Sequence, residues 1–234
     1  MSITEALQNV RQEIARAALG CGRDPRDICL LGASKMNAPD RIQEAIKAGL
    51  TVCGENRVQE LLDKKAQGAY EGARLDFIGH LQKNKAKQVV GQVSLIHSVD
   101  SMELMALISR LALERGIQQH ILLEVNVAGE ASKSGFKPEE IASAVEGAAQ
   151  FPGIFLRGLM AIPPICRIPE ENTPYFRLMN KLFIDNGAKK YDNVDMGILS
   201  MGMSGDYQAA IENGANLIRL GSAIFGQRKY PAHQ

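Results

Sequence analysis

Cysteine is scarce in this chain. Cys21, Cys29, Cys53 and Cys166 are the only four, with no CxxC pair and no metal-ligand spacing. Neither a zinc site nor a disulfide framework is expected from such a set. Charge of either sign is not in excess: the formal net value is +1, which leaves no field to recruit nucleic acid or an acidic membrane surface. No apolar run is long enough to span a bilayer. The opening "MSITEALQNVRQEIARAALG" is amphipathic and mixed in charge, unlike a signal peptide. A soluble, reduced, cytoplasmic protein is the expectation. Tryptophan is absent altogether, which leaves a clear spectral background for any bound chromophore.

What is present is apolar and alternating. Hydrophobic residues are 45% of the 234, enough for one sizeable core. Residues 1–20 read as a helix ahead of the first strand. After it, short apolar runs at 28–34, 51–55, 75–80, 94–99, 120–127, 154–162, 196–202 and 216–221 read as strands. Helical patterns fall between them at 38–49, 56–67, 101–116, 137–150, 173–187 and 204–214, several ending in glycine. Strands alternating with helices imply parallel pairing through right-handed crossovers. Eight such strands are the number that closes a TIM-like (β/α)8 barrel. An open doubly wound sheet is the alternative. The proline-rich "AIPPICRIPEENTP" reads as a loop inside one domain spanning 1–234.

In such a barrel, chemistry gathers at the C-terminal ends of the strands. The run "ICLLGASK" ends a buried strand in Lys35, and lysine is seldom placed at the rim of a core without a partner. Strand seven runs into "SMGMSGD", with Ser200, Gly202, Ser204 and Gly205, and strand eight runs through Arg219 into Gly221 and Ser222. Glycines let backbone N–H groups approach an anion closely, so two such loops after adjacent strands suggest one phosphate site. Closure of the barrel brings Lys35 beside it. There the lysine is either a point-charge clamp or an amine that attacks an aldehyde. An aldehyde that carries a phosphate is pyridoxal 5′-phosphate (PLP). Arg219 then faces the pyridine nitrogen or serves as a structural ion-pair residue.

The stretches "SKMNAPDRIQEAIKAGLTVCGENRVQE", "FIGHLQKNK", "EVNVAGEASKSGF", "RGLMAI" and "LSMGMSGDYQAAIENGANLIRLGSAIFG" together resemble the pyridoxal phosphate homeostasis proteins, over about residues 28–230. The resemblance implies a single barrel similar to the N-terminal domain of alanine racemase. It implies that Lys35 forms the PLP Schiff base and that Arg219 meets the pyridine nitrogen. It also implies that Ser200, Gly202, Met203 and Ser204, with Gly221 and Ser222, cradle the phosphate, and that Asn56 of "GEN" lies beside the cofactor. Met36 stands where the family pattern has threonine, Arg57 where it has tyrosine, and Leu75 where tryptophan is frequent.

The family is regarded as non-catalytic, binding PLP and supplying it to apoenzymes. A racemase needs a second base, which alanine racemase takes from a separate domain; the chain ends at Gln234 soon after strand eight. No motif marks Tyr70, Tyr175, Tyr191, Tyr207 or Tyr230 as that base. The expectation is therefore a PLP homeostasis protein, monomeric, with PLP-dependent apoenzymes as transient partners. A small PLP-dependent racemase is the alternative, and a phosphosugar aldolase or isomerase a third reading, for which Glu55 and Glu124 are the evident acid–base candidates. His80 and His97 are expected as hydrogen-bonded rim residues. Lys133 is expected as a solvated loop lysine, with a relay of PLP as its sharper reading, and "QKNKAKQ" as an exposed helix face.

Overall fold

The computed structural model describes residues 1–130, 132–188 and 191–226. Tyr230 and residues 227–234 of the expected domain lie outside the described residues. The first helix, α1 (Ile3–Gly20), starts at a reciprocal cap. Ser2 Oγ accepts from the Glu5 N–H at 3.2 Å while Glu5 Oε2 accepts from the Ser2 N–H at 2.8 Å. Ile3, Leu7, Val10, Ile14 and Ala18 recur at helical spacing and are buried, which gives α1 one apolar stripe.

Strands and helices then alternate: β1 (Cys29–Ala33), α2 (Pro39–Lys47), β2 (Val52–Glu55), α3 (Val58–Ala66), β3 (Arg74–Phe77) and α4 (Ala86–Val89). They continue with β4 (Leu95–Val99), α5 (Met102–Leu113), β5 (Gln119–Val125), α6 (Ile141–Ala148), β6 (Ile154–Ala161) and α7 (Thr173–Gly187). The series closes with β7 (Val194–Ser200), α8 (Tyr207–Glu212), β8 (Leu217–Leu220) and α9 (Ser222–Phe225). All eight expected strands form, pair in parallel in chain order, and close into a barrel with β8 beside β1. In that seam Leu31 pairs with Arg219 and Gly32 with Leu220. The open-sheet alternative is excluded by this pairing. The stripe of α1 packs on α8 and α9, covering the seam from outside.

Of the boundaries that differ from the sequence reading, two bear on the candidate site. Strand seven stops at Ser200 rather than 202, because Gly202 turns the chain at φ +92. Strand three stops at Phe77, and its expected end at 78–80 passes over Asn56 as a loop. That passage needs Gly79: a Cβ there would sit 2.1 Å from the Asn56 carbonyl oxygen. The "QKNKAKQ" stretch is a 3-10 turn and a single α-turn with Lys83, Lys85 and Lys87 exposed, as expected.

The main core lies between strands and helices, where Ile42, Leu61, Phe77, Ile108, Ile121 and Phe176 are buried. Smaller groups fill the barrel: Leu31, Val52 and Leu217, and Leu95, Leu122 and Met160. Each such fully buried side chain contributes about 1.5–3 kcal/mol. The barrel also holds Asp76, His97, Ser200 and Arg219, all buried. Polar groups cost free energy in such a place unless each is hydrogen-bonded. Among the described residues no helix is long and apolar enough to cross a membrane.

Candidate cofactor site

A cavity of about 580 Å³ opens at the C-terminal ends of the strands. Lys35, Asn56, Met203, Ser204, Arg219, Gly221 and Ser222 all line it, residues drawn from both ends of the sequence. Glu124 and Asn126 add to the wall from β5 and the turn after it.

Lys35 enters from the turn after β1, and both of its neighbours are tied to α3. The Ser34 carbonyl accepts from Lys64 Nζ at 2.9 Å, and the Met36 N–H donates to Glu60. Met36 holds φ +62, a conformation that a non-glycine residue keeps only when its surroundings over-determine it. Lys64 Nζ also meets Glu55 Oε1 at 2.8 Å and Glu60 Oε1 at 2.6 Å. Ser34 Oγ and the Tyr70 hydroxyl donate to that same Glu55 oxygen. Glu55 is therefore fully buried in a closed ionic cluster behind β2 and does not line the cavity. Its expectation as an acid–base group is corrected: Gly54 takes the inward position and strand alternation turns Glu55 outward.

At the opposite wall, the loops after β7 and β8 are stitched together. Ser204 Oγ accepts from the Gly221 N–H at 3.3 Å and the Ala223 N–H at 3.4 Å. The Met203 N–H donates to Asp206 Oδ1 at 2.7 Å, which holds the loop in a tight turn. Gly221 lies against Ala33, so the loop after β8 stands next to the end of β1. Hydroxyls and backbone N–H groups here suit an anion, and the Lys35 side chain faces the same space.

Arg219 forms the polar floor. It is buried, with Nη1 2.6 Å from Ser200 Oγ and Nη2 2.9 Å from the Ala161 carbonyl oxygen. Burial pushes its pKa down to about 10, opposed by the charges of Glu124 and Asp206, so the guanidinium remains charged at neutrality. Glu124 behaves oppositely: burial, with the Asp100 charge second, pushes its carboxyl up to about 7 against the pull of Arg219. Its Oε2 is buried without a hydrogen-bond partner.

Two of the expected phosphate residues are elsewhere. Ser200 does not line the cavity; its hydroxyl is buried in the barrel between Arg219 and His97. Gly202 supports the loop from below, its carbonyl accepting from the Arg219 backbone N–H at 3.0 Å. His97 is corrected as well. It is not a rim residue but fully buried, with Nδ1 3.1 Å from Ser200 Oγ and Nε2 3.2 Å from Asp76 Oδ2. Burial lowers its pKa, opposed by its bond to Asp76. Asp76 went unnoticed in the sequence, although a charge inside the apolar "LDFIG" was its signal. His80 does sit at the rim, exposed, 3.3 Å from Asp100 Oδ2 and 3.2 Å from Ser134 Oγ. Lys133 pairs with Glu130 at 2.8 Å on the same rim.

A family model described as the alanine racemase N-terminal domain matches residues 33–229. A pyridoxal phosphate homeostasis protein of Aquifex aeolicus is 43% identical, over 98% of this chain and all of its own length. The chain belongs to the pyridoxal phosphate homeostasis family. A crystal structure of a protein from Bifidobacterium adolescentis superposes with a TM-score of 0.89 at 36% identity, covering 95% of this chain and 94% of that one. The structure of PipY of Synechococcus elongatus, solved with PLP bound, has a TM-score of 0.79 at 29% identity and covers 96% of this chain and all of its own. Against the family pattern, Met36 and Arg57 do not line the cavity, and Leu75 is buried in the outer core.

The donor set fits a phosphorylated pyridine aldehyde. Hydroxyl and N–H donors at one wall match a phosphate, a buried guanidinium in the floor matches an unprotonated ring nitrogen, and a lysine beside both matches the aldehyde carbon.

Proposed function

We propose that this chain binds PLP in the cavity and serves intracellular PLP homeostasis, holding the cofactor without turning over a substrate. PLP brings an aldehyde that forms an imine with an amine, and Lys35 Nζ is the amine offered here. Ser204, Ser222 and the Gly221 backbone, with Met203 beside them, hold the phosphate. Arg219 donates to the ring nitrogen and, by its own charge, disfavours a proton there, which weakens the ring as an electron sink. Asn56 borders the ring. The whole chain 1–234 acts as one cofactor-binding unit, monomeric and cytoplasmic, and PLP-dependent apoenzymes are its transient acceptors.

The observation that carries this reading is the convergence of Lys35, Arg219 and the two serine–glycine loops on one cavity, from β1, β8 and the turns after β7 and β8. The test is reduction with borohydride after adding PLP, followed by peptide mapping. Wild type is expected to carry a reduced pyridoxyl group on Lys35, and Lys35→Ala none. Absence of the adduct from wild type removes the covalent reading and leaves Lys35 as a phosphate clamp. Release of product from D- or L-alanine by the loaded protein removes the non-catalytic reading and leaves the racemase alternative.

A further inference from the structure

Behind the cavity floor a line of hydrogen-bonded side chains runs through the barrel. Arg74 Nη2 donates to Asp76 Oδ2 at 2.8 Å, and the same oxygen faces His97 Nε2 at 3.2 Å. His97 Nδ1 faces Ser200 Oγ at 3.1 Å, and Ser200 Oγ accepts from Arg219 Nη1 at 2.6 Å. Each of Asp76, His97 and Ser200 is essentially without solvent contact.

The donors and acceptors leave one self-consistent arrangement. Guanidinium groups only donate, so Asp76 Oδ2 accepts from Arg74 and is an acceptor toward His97 as well. Burial disfavours a charged imidazole, so His97 carries a single proton, placed on Nε2. Its bare Nδ1 then takes the Ser200 O–H, which turns a Ser200 lone pair toward Arg219. We propose that Asp76, His97 and Ser200 are positioning residues for Arg219, a one-directional hydrogen-bond chain that sets the guanidinium facing the cofactor ring. This rests on the PLP reading above, and it moves Ser200 from the phosphate to the ring end of the site.

The test compares PLP with pyridoxal, which lacks the phosphate, on wild type and on Ser200→Ala. A charged hydrogen bond lost in the barrel is expected to weaken both ligands alike, by about tenfold or more. Loss for PLP alone overturns the proposal and returns Ser200 to the phosphate. His97→Asn keeps an acceptor near the Nδ1 position and is expected to bind within about threefold of wild type, whereas His97→Leu matches Ser200→Ala. Equal binding by these two His97 variants also overturns it.

Ligand-free wild type supplies an independent readout, because the nitrogen spectrum of the His97 ring distinguishes its tautomers. The expected result is a neutral ring protonated at Nε2 at neutral pH. A proton on Nδ1, or a charged ring, overturns the chain. Should wild type bind neither ligand, the PLP reading fails, while this spectrum still decides the direction of the hydrogen bonds.

Discussion

Lys64 Nζ stands 2.9 Å from the carbonyl oxygen of Ser34, the residue directly before Lys35. The same ammonium is held by Glu55 and Glu60. The acidic residues of the "GENRVQE" motif, Glu55 at the end of β2 and Glu60 on α3, therefore lie behind Lys35 and brace its backbone through Lys64. Removing one partner from such a pair leaves an uncompensated buried charge. Lys64→Met is expected to destabilise the protein by about 3–5 kcal/mol in urea unfolding. Less than about 1 kcal/mol would mean that the cluster does not brace the turn.

The floor of the loop after β7, where the phosphate is proposed to sit, rests on Gly202. A Cβ at that position would lie 2.7 Å from the Ala210 Cβ, and φ is +92. Gly202→Ala is expected to cost about 1–3 kcal/mol in thermal unfolding. Because the displaced segment carries Met203 and Ser204, PLP affinity should fall more than pyridoxal affinity. Equal losses for both ligands would count against a phosphate at this loop.

Glu124 gives the site a pH dependence of known sign. Its pKa is raised from the ordinary 4.5 to about 7. Between those values the folded protein keeps a proton that the unfolded chain has released, so stability falls as pH rises through this window. The cost is complete above about pH 7, and at about 1.4 kcal/mol per unit it approaches roughly 3 kcal/mol. Glu124→Gln is expected to match wild type in urea midpoint near pH 4.5 and exceed it at pH 8. Parallel curves for the two proteins would place the charge of Glu124 in an environment no worse than water.

The local chemistry of the site was legible in the chain before any fold was known. Apolar runs bounded by turns produce eight strands, and a lysine, an arginine and two serine–glycine loops stand at or beyond strand ends, each with a structural use as well as a ligand-binding one. Eight strands match the number that closes a barrel, but only the pairing of β8 with β1 excludes an open sheet. What the residues next to each other in sequence do not reveal is which side of a strand faces the barrel. Strands of a parallel barrel are apolar on both faces, so alternation leaves no mark. Glu55 and Glu124 looked equivalent, yet one points out to Lys64 and the other into the cavity. Likewise, Asp76, His97, Ser200 and Arg219 come from β3, β4, β7 and β8. They meet only because strand register and barrel closure bring them to one height across the barrel. Residue identity and spacing thus set the chemistry available to this protein. The pairing of distant strands set which of those groups touch, since contact across a barrel depends on register that no local pattern encodes.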